Sequence, residues 1–170
     1  STTMKRLPIL LLIMTVLFSS CDDKKKALTA QYDELMKQGD SIEASHKDFM
    51  ITHNQMADMH DKFKEEIESI ELEDSSILAD IAKHDVILKR HDDVLESHNQ
   101  MFQNHKDLKS GIKDLSEVEM EAKIDEMKEG HEKIKSEHAA MEDEHNVMMD
   151  EHKAIEKAIE ENKAENSEED

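Results

Sequence analysis

Residues 46–63 read HKDFMITHNQMADMHDKF, and within this stretch histidine and large apolar residues recur with a period of seven. The histidines are His46, His53 and His60, and the apolar residues are Phe49, Met56 and Phe63. Residues three or four positions apart share one face of an α-helix. The stretch therefore predicts a long helix with one apolar stripe and one stripe of imidazole side chains.

The same heptad runs through most of the chain. The apolar phase, position d, comprises Leu28, Leu35, Ile42, Phe49, Met56, Phe63, Ile70, Ile87, Val94, Met101, Leu108, Met120, Met127, Ile134, Met141, Met148 and Ile155. The companion phase, position a, comprises Tyr32, His46, His53, His60, Ile67, His84, His91, His98, His105, Ile112, Ile124, His131, His138, His145, His152 and Ile159. All 11 histidines lie at position a, which random placement does not produce.

Helix-ending signals divide this pattern into three helices, at about residues 28–73, 76–110 and 117–163. Asp74-Ser75-Ser76 precedes the second helix, and Ser110-Gly111 follows it. Ser116-Glu117-Val118-Glu119 is a capping box before the third. Gly39 is either a tolerated glycine or the end of a short lead helix. Because short connections favour antiparallel neighbours, we predict an all-α, antiparallel three-helix bundle or coiled coil over residues 28–163, with an acidic disordered tail at 164–170.

The three segments are also copies of one another. The motifs His53-Asn54-Gln55-Met56, His98-Asn99-Gln100-Met101 and His145-Asn146-Val147-Met148 align, and each is followed by a further histidine. The bundle is therefore interpreted as three heptad-histidine repeats.

The N-terminus has the features of an export signal. Met4-Lys5-Arg6 is basic, residues 7–18 are apolar, and Ser19-Ser20-Cys21 supplies small side chains before the only cysteine. The apolar run is shorter than the roughly 20 residues of a membrane-spanning helix. Phe18-Ser19-Ser20-Cys21 resembles the cleavage motif of bacterial lipoproteins. The resemblance implies that residues 1–20 are removed, that Cys21 is lipidated, and that residues 21–27 form a tether.

A lipoprotein of this kind would be anchored in a bacterial cell envelope, on the periplasmic or the cell-surface side. Its chain from Cys21 onward has 20 basic and 42 acidic side chains, a net charge of −22 with neutral histidine. This charge disfavours nucleic acid as a partner and favours cations. Lipidation would occupy the only thiol, so histidine and methionine would be the only soft metal ligands.

Metal binding is one interpretation of the histidine stripe. Residues seven apart on one helix are separated by about 10.5 Å, whereas zinc–nitrogen distances are about 2.0 Å. A site must therefore combine helices, or pair a histidine with a methionine one turn away. The methionines placed for such pairs are Met56, Met101, Met141 and Met148. These His-x-x-Met spacings resemble those of small periplasmic copper- and silver-binding proteins, which implies Cu, Ag, Zn or Ni as candidate ions.

The other interpretation is structural. Neutral imidazoles can line a helix–helix seam, bond to one another or to flanking acidic residues, and specify register, self-association or capture of a partner helix. Protonation below about pH 6 would then loosen the bundle. Catalytic motifs such as His-Glu-x-x-His, a phosphate-binding glycine loop or a nucleophile elbow are missing from the sequence, which predicts a protein that is not an enzyme.

The two turns also predict a register. With turns centred near residues 73.5 and 112.5, His60 would lie level with Ile87 and His138, and position a of one helix would meet position d of the next. We therefore expect no layer of three histidines.

Overall fold

A computed structural model describes the backbone of residues 7–70 and 75–168, and the side chains of residues 21–70 and 75–167. The chain forms three α-helices, α1 (Leu7–Glu68), α2 (Ser75–Leu108) and α3 (Glu117–Glu168), with a 3₁₀ helix at Ile112–Asp114. The described residues form no strand. The prediction of an all-α three-helix bundle is confirmed.

The helices differ from the predicted segments mainly at the ends of the bundle. Helix α1 begins at Leu7, within the predicted export signal, and α3 continues past residue 163 to Glu168. The described part of the chain leaves out residues 1–6, 71–74 and 169–170. Parts of the predicted signal, first turn and acidic tail therefore lie outside it. No helix of the described residues has the length and apolar character needed to cross a membrane.

Helix α3 begins where the capping box was predicted. The backbone N–H of Ser116 donates to Glu119 Oε2 at 2.8 Å, and the Glu119 N–H donates to Ser116 Oγ at 3.3 Å. The hydrogen bonds from Ser116 lower the pKa of the Glu119 carboxyl. The reciprocal bonds occupy two of the amide donors that a helix start leaves unpaired, and the prediction is confirmed.

The described residues form two compact units. The first contains the residues up to Ser41 together with Met101–Glu132, and the second contains Ile42–Gln100 together with the residues from Lys133 onward. The core of the first unit is apolar and consists of Leu28, Tyr32, Leu35, Ile112, Met120, Ile124 and Met127. Helix α1 runs through Gly39 without ending there.

The second unit alternates apolar and histidine layers. One apolar cluster consists of Phe63, Ile67, Ile77, Ile81, Ile155 and Ile159, and another consists of Met56, Leu88 and Met148. Each cluster takes residues from α1, α2 and α3, and residue numbers rise along α1 and α3 while they fall along α2. The second helix is therefore antiparallel to the other two within this unit.

Candidate metal centre

Nine histidines of the second unit form three groups, each with one residue from every helix. The first triad is His46, His98 and His138; the second triad is His53, His91 and His145; the third triad is His60, His84 and His152. In each triad one ring nitrogen per residue lies within 4.8 Å of the other two. Successive triads are seven residues apart on every helix, so the three groups stack at intervals of about 10.5 Å.

The nitrogens converge in the same way in the first and second triads, whereas in the third triad Nδ1 of His84 lies 3.1 Å from Nε2 of His152 and Nδ1 of His60 makes no hydrogen bond within the described residues. In the second triad, Nδ1 of His53 lies 3.2 Å and Nδ1 of His91 lies 3.0 Å from Nε2 of His145. In the first triad, Nδ1 of His46 and Nδ1 of His98 lie 3.0 and 3.2 Å from Nε2 of His138. Nitrogens that share a tetrahedral zinc ion are about 3.3 Å apart, given zinc–nitrogen distances of about 2.0–2.1 Å. In both triads these two nitrogen–nitrogen distances are therefore within about 0.3 Å of the zinc spacing.

The outer nitrogen of each α1 histidine meets a side chain of α2. The Nε2 of His53 donates to Asp92 Oδ1 at 2.6 Å, and that of His60 donates to Asp85 Oδ1 at 2.8 Å. In the first triad an amide takes this place, because the Nε2 of His46 lies 3.0 Å from Asn99 Oδ1.

The outer nitrogen of each α2 histidine faces a glutamate of α3. The Nε2 of His84 donates to Glu151 Oε2 at 2.5 Å. The Nε2 of His91 lies 3.4 Å from Glu144 Oε1, and that of His98 lies 3.7 Å from Glu137 Oε1. Like the α2 acceptors, these glutamates are adjacent in sequence to a triad histidine.

These outer partners determine which ring nitrogen faces the centre with a lone pair. A carboxylate only accepts hydrogen bonds, so Nε2 of His53 and Nε2 of His60 carry hydrogen and their Nδ1 atoms do not. In the second triad the hydrogen on His145 Nε2 is then shared between two acceptors. An ion at the same point requires the hydrogen of His145 to lie on Nδ1 instead, and the three inner nitrogens would then present lone pairs while outer partners orient the α1 and α2 ligands.

Burial keeps the imidazoles neutral. Burial, together with the charges of neighbouring histidines, lowers the pKa of His98, His138, His145 and His152 to about 4. Burial also lowers the pKa of His46 and of His91. Neutral imidazole is the form that ligates metal ions.

The surrounding carboxyls stay ionised. Burial alone would raise the pKa of Glu151, but hydrogen bonds from His84 and Lys83 outweigh it and lower the pKa. The pKa of Asp85 is lowered in the same way, where bonds from His60 and Lys64 outweigh burial. The third triad therefore has two carboxylates at its edge, those of Asp85 and Glu151.

Aromatic rings contact a histidine of each triad. Phe49 stacks between His138 and His145, with ring centroids 5.3 and 4.9 Å away. Phe63 lies 5.1 Å from His152. These contacts restrict the rotation of the α3 imidazoles.

The remaining histidines, His105 and His131, lie in the first unit and form an incomplete layer. Their rings are 5.3 Å apart, edge to face, and the place of an α1 histidine is taken by Gly39. A Cβ added to Gly39 would lie 3.3 Å from His131 Nε2. This layer is therefore not a fourth triad.

The candidate methionines lie between or beside the histidine layers. Met56, Met141 and Met148 are buried, and Met56 and Met148 pack with Leu88 between the second and third triads. Met101 is half-buried in the first unit, near His105 and Gly130. Each group of three histidines takes one residue from each helix. The groups therefore correspond to the predicted sites that combine helices, and not to pairs of a histidine with a methionine on the same helix.

The predicted register is wrong. His60 lies with His84 and His152, not with Ile87 and His138, so layers of three histidines do exist. One reason lies in the second connection, where Ile112 of the 3₁₀ helix still packs in the core with Met120 and Ile124, so that the chain reverses direction only after it. The turn is thus centred later in the chain than predicted.

The register changes the apolar face of α2 as well. Ile87, Val94, Met101 and Leu108 are only half-buried, and the buried residues are Ile81, Leu88, Leu95 and Phe102. Met56 lies four residues before His60 on α1. Because α2 is antiparallel, the α2 residue level with Met56 lies four residues after His84, the partner of His60. This residue is Leu88, not the predicted Ile87.

Residue patterns could have identified the outer partners. The acceptors on α2 follow a histidine directly, in His84-Asp85, His91-Asp92 and His98-Asn99, and those on α3 precede one, in Glu137-His138, Glu144-His145 and Glu151-His152. Sequence reasoning expected flanking acidic partners but did not assign these six residues.

Comparison with known protein families, curated proteins and solved structures finds none that matches this chain.

Proposed function

We propose that this protein is a lipid-anchored, transition-metal-binding bundle of the bacterial cell envelope. The stack of three interhelical histidine triads is the observation that carries the proposal. A single buried histidine is readily explained by packing, but three sets of converging ring nitrogens at one period support a role as metal ligands. Each set supplies three imidazoles and leaves a fourth position for water or another donor, as in three-histidine zinc sites.

The donor set indicates the class of ion. Imidazole suits Zn(II), Cu and Ni(II), whereas calcium and magnesium require oxygen ligands. The second triad has two nearby carboxylates, of Asp92 and Glu144, whose charge offsets that of a divalent cation. The buried methionines between the triads are soft donors and keep Cu(I) and Ag(I) among the candidates.

Titration of the purified full chain with Zn(II), Ni(II), Cu(I) and Ag(I), followed by thermal melting, tests the proposal. We expect up to three equivalents to bind. An ion at 100-fold excess over its dissociation constant should add about 2.7 kcal/mol to the free energy of unfolding, and EDTA should reverse this. If none of the four ions raises the melting midpoint or binds more tightly than about 10 µM, the metal proposal is wrong.

A matched pair of variants locates the sites. His145→Ala removes the shared ligand of the second triad, and the zinc stoichiometry should fall by one equivalent. Asn146→Ala changes the exposed neighbouring residue, and it should leave all equivalents in place. Equal loss in both variants would argue against binding at the triads.

The lipid anchor rests on the sequence of residues 4–21 and on the position of Cys21. Cys21 is exposed and free, so its thiol is accessible to an acyltransferase. Expression in a bacterium with labelled palmitate should label the protein and place it in the membrane fraction. Cys21→Ser should abolish both, and labelling of the variant would contradict the proposal.

A second candidate, a structural or interaction role, is favoured by a different observation. Two pairs of nitrogens in each of the first and second triads, and one pair in the third, already contact each other at 3.0–3.2 Å, so shared hydrogen bonds can hold much of the seam without an ion. In that case the histidines would specify helix pairing or association with another helix. Sedimentation at pH 7.5 and pH 5 without metal tests this, because unchanged mass and helix content would argue against a histidine-gated assembly.

A further inference from the structure

The three triads have different surroundings. In the second and third triads the α1 histidine donates to a carboxylate, of Asp92 or Asp85. In the first triad it meets the neutral amide of Asn99. An amide oxygen accepts the hydrogen and holds the same tautomer, but it adds no negative charge to the ligand.

The α2 histidine of the first triad is also less well supported. Its Nε2 lies 3.7 Å from Glu137 Oε1, compared with 2.5 Å between His84 and Glu151 in the third triad. Glu137 Oε1 makes no hydrogen bond within the described residues, and it lies 3.9 Å from Lys133 Nζ. Neither outer contact of the first triad is therefore a hydrogen bond to a carboxylate.

The first triad is also more exposed to solvent than the other two. Among the nine triad histidines only His138 is half-buried, whereas the other eight are buried. Solvent therefore reaches one ligand of the first triad more easily. Water that can compete for a coordination position favours exchange of a bound ion.

The remaining charged groups do not reverse this order. Asp85 and Glu151 of the third triad also bind Lys64 and Lys83, which offsets part of their charge, but both keep their bonds to imidazole. In the second triad Glu144 pairs with Arg90, whereas the only ion pair of Asp92 within the described residues is with His53. Each of these two triads keeps at least one close histidine–carboxylate bond. In the first triad the two ring nitrogens of His46 contact His138 and Asn99, Glu43 acts on His46 through its charge, and Nε2 of His98 lies 3.7 Å from Glu137.

From these differences we propose that the three sites are unequal and that the first triad is the weak, exchangeable site, with Asn99 as the positioning residue that makes it so. The inference rests on the proposed metal-binding function. Removal of a partner that orients a metal ligand typically costs 10- to 100-fold in metal affinity. We therefore expect the first triad to bind Zn(II) at least about tenfold more weakly than the other two.

Site-resolved zinc titration of the full chain tests the inference. Long-range ¹H–¹⁵N spectra of the histidine rings report which nitrogen binds the ion and which triad fills first, and competition with a chromophoric chelator gives the stepwise affinities. The second and third triads should fill with the first two equivalents, with Nδ1 of the α1 histidines ligated. The first triad should fill last.

Two variants exchange the outer partners. Asn99→Asp should raise the affinity of the first triad about tenfold, and Asp92→Asn should lower that of the second by 10- to 100-fold. Both positions are exposed, so circular dichroism should show an unchanged fold. Asn54→Asp is the matched control, because it adds the same charge next to His53 at another exposed position and should leave the order of filling unchanged.

The outcomes separate the two proposals. If wild-type protein binds zinc at the triads with equal affinities, or if Asn99→Asp changes the first triad no more than Asn54→Asp does, the inference is wrong while the metal-binding function stands. If zinc binds at none of the triads, the proposed function is wrong, and the inference fails with it.

Discussion

At the residue scale, the histidines differ mainly in what the outer ring nitrogen, the one that points away from the triad centre, contacts. His53 faces the centre of its triad with one nitrogen and an aspartate with the other, whereas His105 has only one histidine neighbour and a glycine in its layer. Identical residues at identical heptad positions therefore have different chemical capacities. The residues beside them in sequence account for much of the difference.

The two helical glycines near the incomplete layer provide a stability test. Alanine at a helical glycine gains about 1 kcal/mol of helix propensity. A Cβ at Gly130 would meet His105 at 3.5 Å, an ordinary contact, whereas a Cβ at Gly39 would meet His131 Nε2 at 3.3 Å. We expect Gly130→Ala to stabilise the protein by about 0.5–1 kcal/mol and Gly39→Ala to stabilise it less.

Urea denaturation of the two variants at pH 7.5 measures this difference. Each variant is the other's control, because both add one methyl group within a helix of the first unit. A larger gain for Gly39→Ala would mean that His131 moves away from α1 without cost.

At the element scale, the start of α3 matters because it stabilises the helix that carries four histidines. The capping box holds the first turn at Ser116, and His131, His138, His145 and His152 follow on the same helix. A frayed helix start would leave the spacing of these histidines unchanged, but it would weaken the apolar core around Met120. The cap therefore contributes to stability more than to site geometry.

Ser116→Ala should lower the free energy of unfolding by about 1 kcal/mol, because the Glu119 N–H loses its side-chain acceptor. Ser136→Ala, at an exposed position within α3, is the control and should be neutral or slightly stabilising. Thermal melts of both variants give the comparison. Equal midpoints would show that the cap contributes nothing measurable.

At the scale of the whole molecule, the buried histidines make stability depend on pH. The pKa of His98, His138, His145 and His152 is about 4 in the folded chain, against 6.5 in an unfolded one. Above pH 6.5 both states are neutral at these residues, so the pH imposes no cost. As the pH falls from 6.5 towards 4, only the unfolded chain takes up protons, and stability is lost.

The free energy of unfolding of the metal-free protein should therefore fall by several kcal/mol between pH 7.5 and pH 5, since each such histidine lowers it by about 2 kcal/mol at pH 5. Melting midpoints in EDTA at pH 7.5, 6 and 5 should fall by more than about 10 °C over this range. Saturating zinc should raise the midpoint most at pH 7.5, because protons compete with the ion at low pH. A midpoint independent of pH would mean that the imidazoles are not buried in the neutral form.

Periodicity and local signals were sufficient to predict the helices. The seven-residue period of large apolar residues and histidine requires helices with one buried face, and Ser116 and Glu119 mark a helix start by chemistry that acts within four residues. The restriction of all 11 histidines to one heptad position likewise predicts a single imidazole stripe per helix. The resemblance of residues 18–21 to a lipoprotein motif is equally local, and it stays a prediction.

Only the tertiary structure decided which histidines meet. Register between helices depends on where the chain reverses direction, and the structure places His84 with His152 and not at the predicted register. The outer partners follow from that alignment, because Asp92 reaches His53 only when α1 and α2 pair at this register. A heptad specifies the face of a helix, but the distance between two side chains on different helices depends on how the whole core packs.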